Sequence, residues 1–75
     1  MNDKYKVEDK IFEIREKCLD KGQFFFSEIA GGCECKIELI VSFIAILEMA
    51  RLKEIYLYQH GENDILVERK NKDGR

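Results

Sequence analysis

The chain has 75 residues, 45% hydrophobic and 37% charged, with a formal net charge of −2. That length suits one domain, near the lower limit for folding without disulfides or metals. The slightly acidic balance argues against a general binder of nucleic acid or anionic membrane, since both need a basic surface.

The first residues, Met1 to Lys6, carry no apolar signal-peptide core, so secretion is not expected. The longest stretch without a formal charge, Leu39 to Leu47, falls well short of the roughly 20 residues of a membrane helix. Three cysteines, Cys18, Cys33 and Cys35, are expected as free thiols in a reducing cytoplasm.

Val7, Ile11, Ile14 and Cys18, with Leu19 beside them, have helical spacing, and charged residues fill the gaps. The first helix is expected to stop at Gly22. Gln23 to Phe26 reads as a short strand that places Phe24 and Phe26 on one face and Phe25 on the other. Ser27 is a suitable N-cap for a short helix ending at Gly31-Gly32. A long helix then runs from about Lys36 to Lys53. Glu54 to Gln59 alternates, with Ile55, Leu57 and Gln59 facing one way and Tyr56 and Tyr58 the other. His60 to Asn63 forms a turn, and Asp64 to Arg69 returns as the second strand of a hairpin.

Residues 1–6 are expected to be a frayed N-terminus, 7–69 the domain, and 70–75 a disordered polar tail. The order helix, strand, helix, helix, strand, strand is that of a small α+β winged-helix domain, with three helices, a short first strand and a β-hairpin wing.

The long helix is apolar on most sides. At about 100° per residue, Leu39, Ile40, Phe43, Ile46, Leu47 and Ala50 share one broad arc, the expected core stripe. Glu38, Ser42 and Lys53 are expected to face water. A second apolar strip, Ile37, Val41, Ala45 and Leu52 with Met49 at its edge, is covered by the rest of the domain or is open to a partner.

Lys36-x-x-x-Ile40-Val41-Ser42-Phe43-Ile44-Ala45-Ile46-Leu47-Glu48-Met49 resembles the C-terminal region of the bacterial segregation and condensation protein A family. That family has a basic residue, aliphatics, a Ser/Thr, then Phe-Leu-Ala-Leu-Leu-Glu-Leu. Phe26-Ser27-Glu28-Ile29 resembles its Phe-x-Glu-Leu element, and the strand ending at Gln59 followed by Asp64-Ile65-Leu66 also fits. The turn His60-Gly-Glu-Asn63 lacks the Phe of the family's Phe-Gly and is one residue shorter, and Cys33-x-Cys35 is not a family feature.

The resemblance implies a kleisin, which bridges the ATPase heads of an SMC dimer in chromosome segregation and condensation. Its C-terminal winged helix binds one SMC head. Segregation and condensation protein B is recruited elsewhere in the full-length protein, not through this domain, and DNA is engaged only indirectly. The implied location is the cytoplasm, at the nucleoid, with no membrane contact. The candidate contact residues are Phe25, Ile37, Val41, Ala45, Met49, Tyr56 and Tyr58.

Two other classes remain, a DNA-binding winged helix and a module that homodimerises through the long helix. Against the first, Lys36, Arg51 and Lys53 are offset by Glu38 and Glu48, and apolar residues stand where a base reader would carry Arg, Asn or Gln. Cys18, Cys33, Cys35 and His60 could supply zinc ligands, but the Cys-x-Cys gap is tight and incidental thiols are expected. No enzyme, metal or cofactor is expected, because the single histidine lies in a turn and the acidic residues follow helix-surface spacing.

Overall fold

The computed structural model describes residues 4–70. They form α1 (Val7–Lys21), β1 (Gln23–Phe25), α2 (Phe26–Gly31), α3 (Lys36–Arg51), β2 (Ile55–His60) and β3 (Asp64–Arg69). This is the winged-helix order expected from the sequence. Residues 1–3 and 71–75 of the expected frayed terminus and tail lie outside the described residues. Lys4 and Tyr5, inside them, reach Glu34 through an ion pair at 3.7 Å and a hydrogen bond at 3.0 Å.

Glu8 and Asp9 favour the start of α1 and Lys21 its end, each opposing the local end of the helix dipole. Gly22, at φ 80°, takes the left-handed turn that ends the helix, and its N–H donates to the Cys18 carbonyl. Its own carbonyl accepts from the Arg69 N–H, which ties the turn to β3.

Ser27 does not cap α2 as expected, because the N-cap position falls two residues earlier, at Phe25. Asp64 at the start of β3 performs the task instead. Its carboxylate accepts from the Ser27 N–H at 3.1 Å, satisfying an otherwise unpaired donor at the helix start. Glu28 reaches back to the Phe25 N–H at 3.3 Å.

The sheet is antiparallel in the order β1-β3-β2. Phe24 pairs with Val67 and Val67 with Leu57, and these side chains face the helices. The core joins Ile14 and Cys18 of α1, Phe24, Ala45, Ile46 and Met49 of α3, Ile55 and Val67. Burying each large side chain contributes roughly 1.5–3 kcal/mol.

α3 is rotated from the orientation expected: of the expected core stripe Ile46 is buried and Ala50 packs against the core, but Ile40, Phe43 and Leu47 are not enclosed. Its buried face is Glu38, Ser42, Ala45, Ile46 and Met49, whereas Ile40, Phe43, Ile44 and Leu47 are exposed. Glu38 and Ser42 tolerate burial because both find partners. The Glu38 carboxylate receives the Lys10 ammonium of α1 and, at 2.7 Å, the Glu34 N–H. The Ser42 hydroxyl lies 3.8 Å from Cys33 Sγ. Ser42 and Ala45 are completely buried, and their small side chains suit a helix face that neighbours approach closely.

The helix stops at Leu52, and Lys53 takes φ 64° to turn the chain into β2. Glu54 then receives a two-pronged hydrogen bond from the Arg15 guanidinium at 2.7 and 2.8 Å, which fastens this corner to α1.

Candidate docking surface

The exposed side of α3 is a continuous aliphatic stripe. Ile37, Ile40, Ile44 and Leu47 are between 45% and 64% exposed. Their spacing of three, four and three residues aligns them along one side of a helix. Phe43 borders the stripe and meets the Phe26 ring of α2 edge-on, with centroids 5.7 Å apart. The charged groups beside it are few: Lys36 at the start, and at the end Arg51, which is paired with Glu48. That pairing raises the Arg51 pKa and holds the Glu48 carboxyl below its usual range.

A lone exposed leucine is ordinary, but a row of four on a helix of a small domain is not. Such a row can bury apolar area against a second helix or a groove. Each large side chain is worth up to roughly 1.5–3 kcal/mol before the cost of association.

The seven residues expected as contacts divide three ways. Ile37 lies on the stripe and Val41 is half-buried at its margin. Ala45 and Met49 are sealed in the domain's own core, so as contact residues they are corrected: α3 is turned so that they face α1 and the sheet. Phe25, Tyr56 and Tyr58 come together on the outer face of the sheet, where the Phe25 row also holds Tyr58 and Leu66. Ile40, Ile44 and Leu47 were not among the expected contacts. The signal that could have found them is the row at positions 37, 40, 44 and 47, which parallels the row 38, 42, 45 and 49 on the opposite side.

A cleft of about 310 Å³ between α1, α2 and α3 gathers ionisable groups, but they are committed to one another. Lys10 bonds to Glu38 and Glu13, and Lys17 and Lys21 face Glu28 at 3.7 and 2.9 Å. Burial acts to lower the Lys10 pKa, yet hydrogen bonds to Glu38 and Glu13 outweigh it and the net shift is upward. The Glu34 N–H, and then Lys10, hold Glu38 below the usual carboxylate range.

The zinc ligand set does not assemble. Cys18 is in the core, His60 stacks on Phe25 at a centroid distance of 4.6 Å, and all three thiols are free. Among the described residues no cluster of three or more His, Cys, Asp or Glu side chains could hold a metal ion. Nor is any helix among them long and apolar enough to cross a membrane.

Comparison with known proteins gives relatives along nearly the whole chain. A "Segregation and condensation protein A" of Clostridium botulinum (strain Eklund 17B / Type B) is 47% identical over 73 residues, 96% of this chain. Proteins of the same name from Clostridium acetobutylicum and from Thermoanaerobacter sp. (strain X514) are each 44% identical, over 68 and 66 residues, or 89% and 87% of the chain. The similarity lies with a C-terminal portion of these proteins, as the resemblance in the residues implied. The chain spans 29% of the length of the first and 27% of each of the other two. No family model and no solved structure matches it.

Proposed function

We propose that this domain is a kleisin-type adaptor that docks on the ATPase head of an SMC protein and serves chromosome segregation and condensation in the cytoplasm, at the nucleoid. It acts by binding, not by catalysis. The observation that carries the reading is the aliphatic stripe Ile37, Ile40, Ile44 and Leu47, left open on α3 while Glu38 and Ser42 are turned inward. The names of the relatives support the process, and the stripe supplies a physical means of attachment.

In this reading the stripe lies against an apolar surface of the head, with Phe43 and Val41 at the margin. Water leaves the aliphatic side chains, and the charges at the two ends of the helix set register without supplying much affinity. Segregation and condensation protein B joins through other parts of the full-length protein, and DNA is held by the assembly rather than by this domain.

The test is gel filtration of the domain mixed with the SMC head, with Ile44→Glu alongside. The domain should co-elute with the head and Ile44→Glu should not, while both melt at similar temperatures. A complex that survives Ile44→Glu would move the attachment off α3. Absence of any complex would overturn head binding.

One observation favours a second reading, self-association through α3. The three-four-three spacing of the stripe is that of a helix pair. It predicts a mass near twice the monomer that Ile44→Glu returns to the monomer, in the absence of any SMC head.

A further inference from the structure

The outer face of the sheet carries a second surface, distinct from the α3 stripe. Strand register sets its rows. Tyr58, Leu66 and Phe25 lie side by side across the three strands, and Tyr56, Glu68 and Gln23 form the next row. Because side chains alternate along a strand, all six face away from the core that Phe24, Ile55 and Val67 occupy.

Tyr56 and Tyr58 are 45% and 49% exposed, with rings 6.5 Å apart and tilted. No cation covers them: the cation–ring contacts among the described residues are those of Lys4 and Lys10 with Tyr5 and of Lys17 with Phe24.

His60 lies on this face, stacked on Phe25, and Lys21 and Arg69 border its edge at Gln23 and Glu68, but Lys21 is paired with Glu28 and neither cation forms an ion pair with Glu68 among the described residues. Glu13, Glu28, Glu34, Glu38, Glu48 and Glu54 each face a Lys or Arg of this chain. Glu68, half-buried beside Tyr56, forms no ion pair among the described residues, and nor does Glu62 at the wing turn. Asp64 is spent on the Ser27 and Ile65 N–H groups. An aromatic surface with an uncommitted carboxylate in its middle is complementary to a guanidinium. The planar cation lies on a tyrosine ring while its N–H fork meets the carboxylate.

We propose that this face docks an arginine-bearing, extended segment of a partner protein, with Tyr56 and Tyr58 as stacking surfaces and Glu68 as the counter-charge. Charge complementarity selects this occupant. A nucleic acid would meet the carboxylates of Glu62, Asp64 and Glu68, and the same face of a second copy would bring those carboxylates together. Tyr56 and Tyr58 are two residues apart on one strand, so arginines at every second position of an extended segment match their spacing.

The test is an amide NMR titration of the labelled domain with a capped Ser-Arg-Ser-Arg-Ser peptide, its lysine counterpart and its citrulline counterpart. The arginine peptide should shift Tyr56, Tyr58, Leu66 and Glu68 saturably, the lysine peptide less, and the uncharged citrulline peptide least. Glu68→Gln and Tyr58→Leu should each weaken binding roughly threefold or more, while Ile44→Glu leaves it unchanged. Tyr58→Leu keeps an apolar strand residue, so a folded spectrum with lost binding still reports on the ring. Equal shifts from the citrulline peptide, wild-type binding by Glu68→Gln, shifts centred on α3, or no saturable shift would each overturn the proposal.

Discussion

The two sides of α3 differ in how their side chains are satisfied. The side turned inward sets a carboxylate and a hydroxyl, Glu38 and Ser42, among the core residues Ala45, Ile46 and Met49, and the side turned outward holds Ile37, Ile40, Ile44 and Leu47. The inward side survives because Lys10, the Glu34 N–H and Cys33 meet its polar atoms, and no buried side-chain nitrogen or oxygen among the described residues lacks a hydrogen-bond partner. The outward side has no such compensation within the domain. The comparison teaches that burial follows partners as much as polarity. A polar group with partners can be enclosed at small net cost, and an apolar row without them is left open as a candidate docking surface.

Substitutions on the two sides should therefore separate stability from docking. The largest effect belongs to the inward side: Ile46→Ala, at a fully buried position, should cost about 2–5 kcal/mol in denaturant unfolding. Next is Ile44→Glu on the outward side, which under the proposed docking should reduce affinity for the SMC head by about 2 kcal/mol or more, roughly thirtyfold, in calorimetric titration. Its unfolding midpoint should barely move. Lys10→Ala, which removes the counter-charge of Glu38, should destabilise by roughly 1–3 kcal/mol, with docking intact once folded.

The acid response sharpens the same contrast. Glu38, Glu28, Glu48 and Glu54 all sit below their ordinary value of 4.5 in the folded domain. A depressed carboxylate stabilises the fold above its unfolded pKa, and that contribution is lost as the pH falls through the folded value. Melting temperature should hold near neutrality and decline as the pH drops below about 4.5. Glu38→Gln should start lower and decline less. The smallest effect is at the end of the helix, where Lys53 holds a left-handed conformation at φ 64°. Lys53→Gly should stabilise by roughly 0.5–1 kcal/mol in denaturant unfolding.

The order of elements, the hairpin, and the outward placement of Tyr56 and Tyr58 were legible because they rest on local patterns: alternation, turn residues, and helical spacing bounded by glycines. The rotation of α3 was not. Apolar residues surround that helix, so its own periodicity offers two rows of equal regularity, 37-40-44-47 and 38-42-45-49. The choice between them is made by Lys10, which lies 28 residues before Glu38 in the chain and identifies the buried row only once α1 is packed. For the same reason Ala45 and Met49 read as open when they are core, and Ile40 and Leu47 read as core when they are open. The missed cap on α2 has a similar origin, because Asp64 reaches Ser27 from 37 residues away.

The orientation of α3 underlies every statement about docking, and a pair of thermal melts tests it most directly. Ser42→Glu and Ile44→Glu place the same charged side chain two positions apart on one helix. Ser42 is fully buried and Ile44 is 45% exposed. The structure predicts that Ile44→Glu melts cooperatively at a temperature close to that of the parent and that Ser42→Glu fails to give a cooperative transition. A stable Ser42→Glu beside an unfolded Ile44→Glu would mean that the helix is turned the other way and that the aliphatic stripe is core.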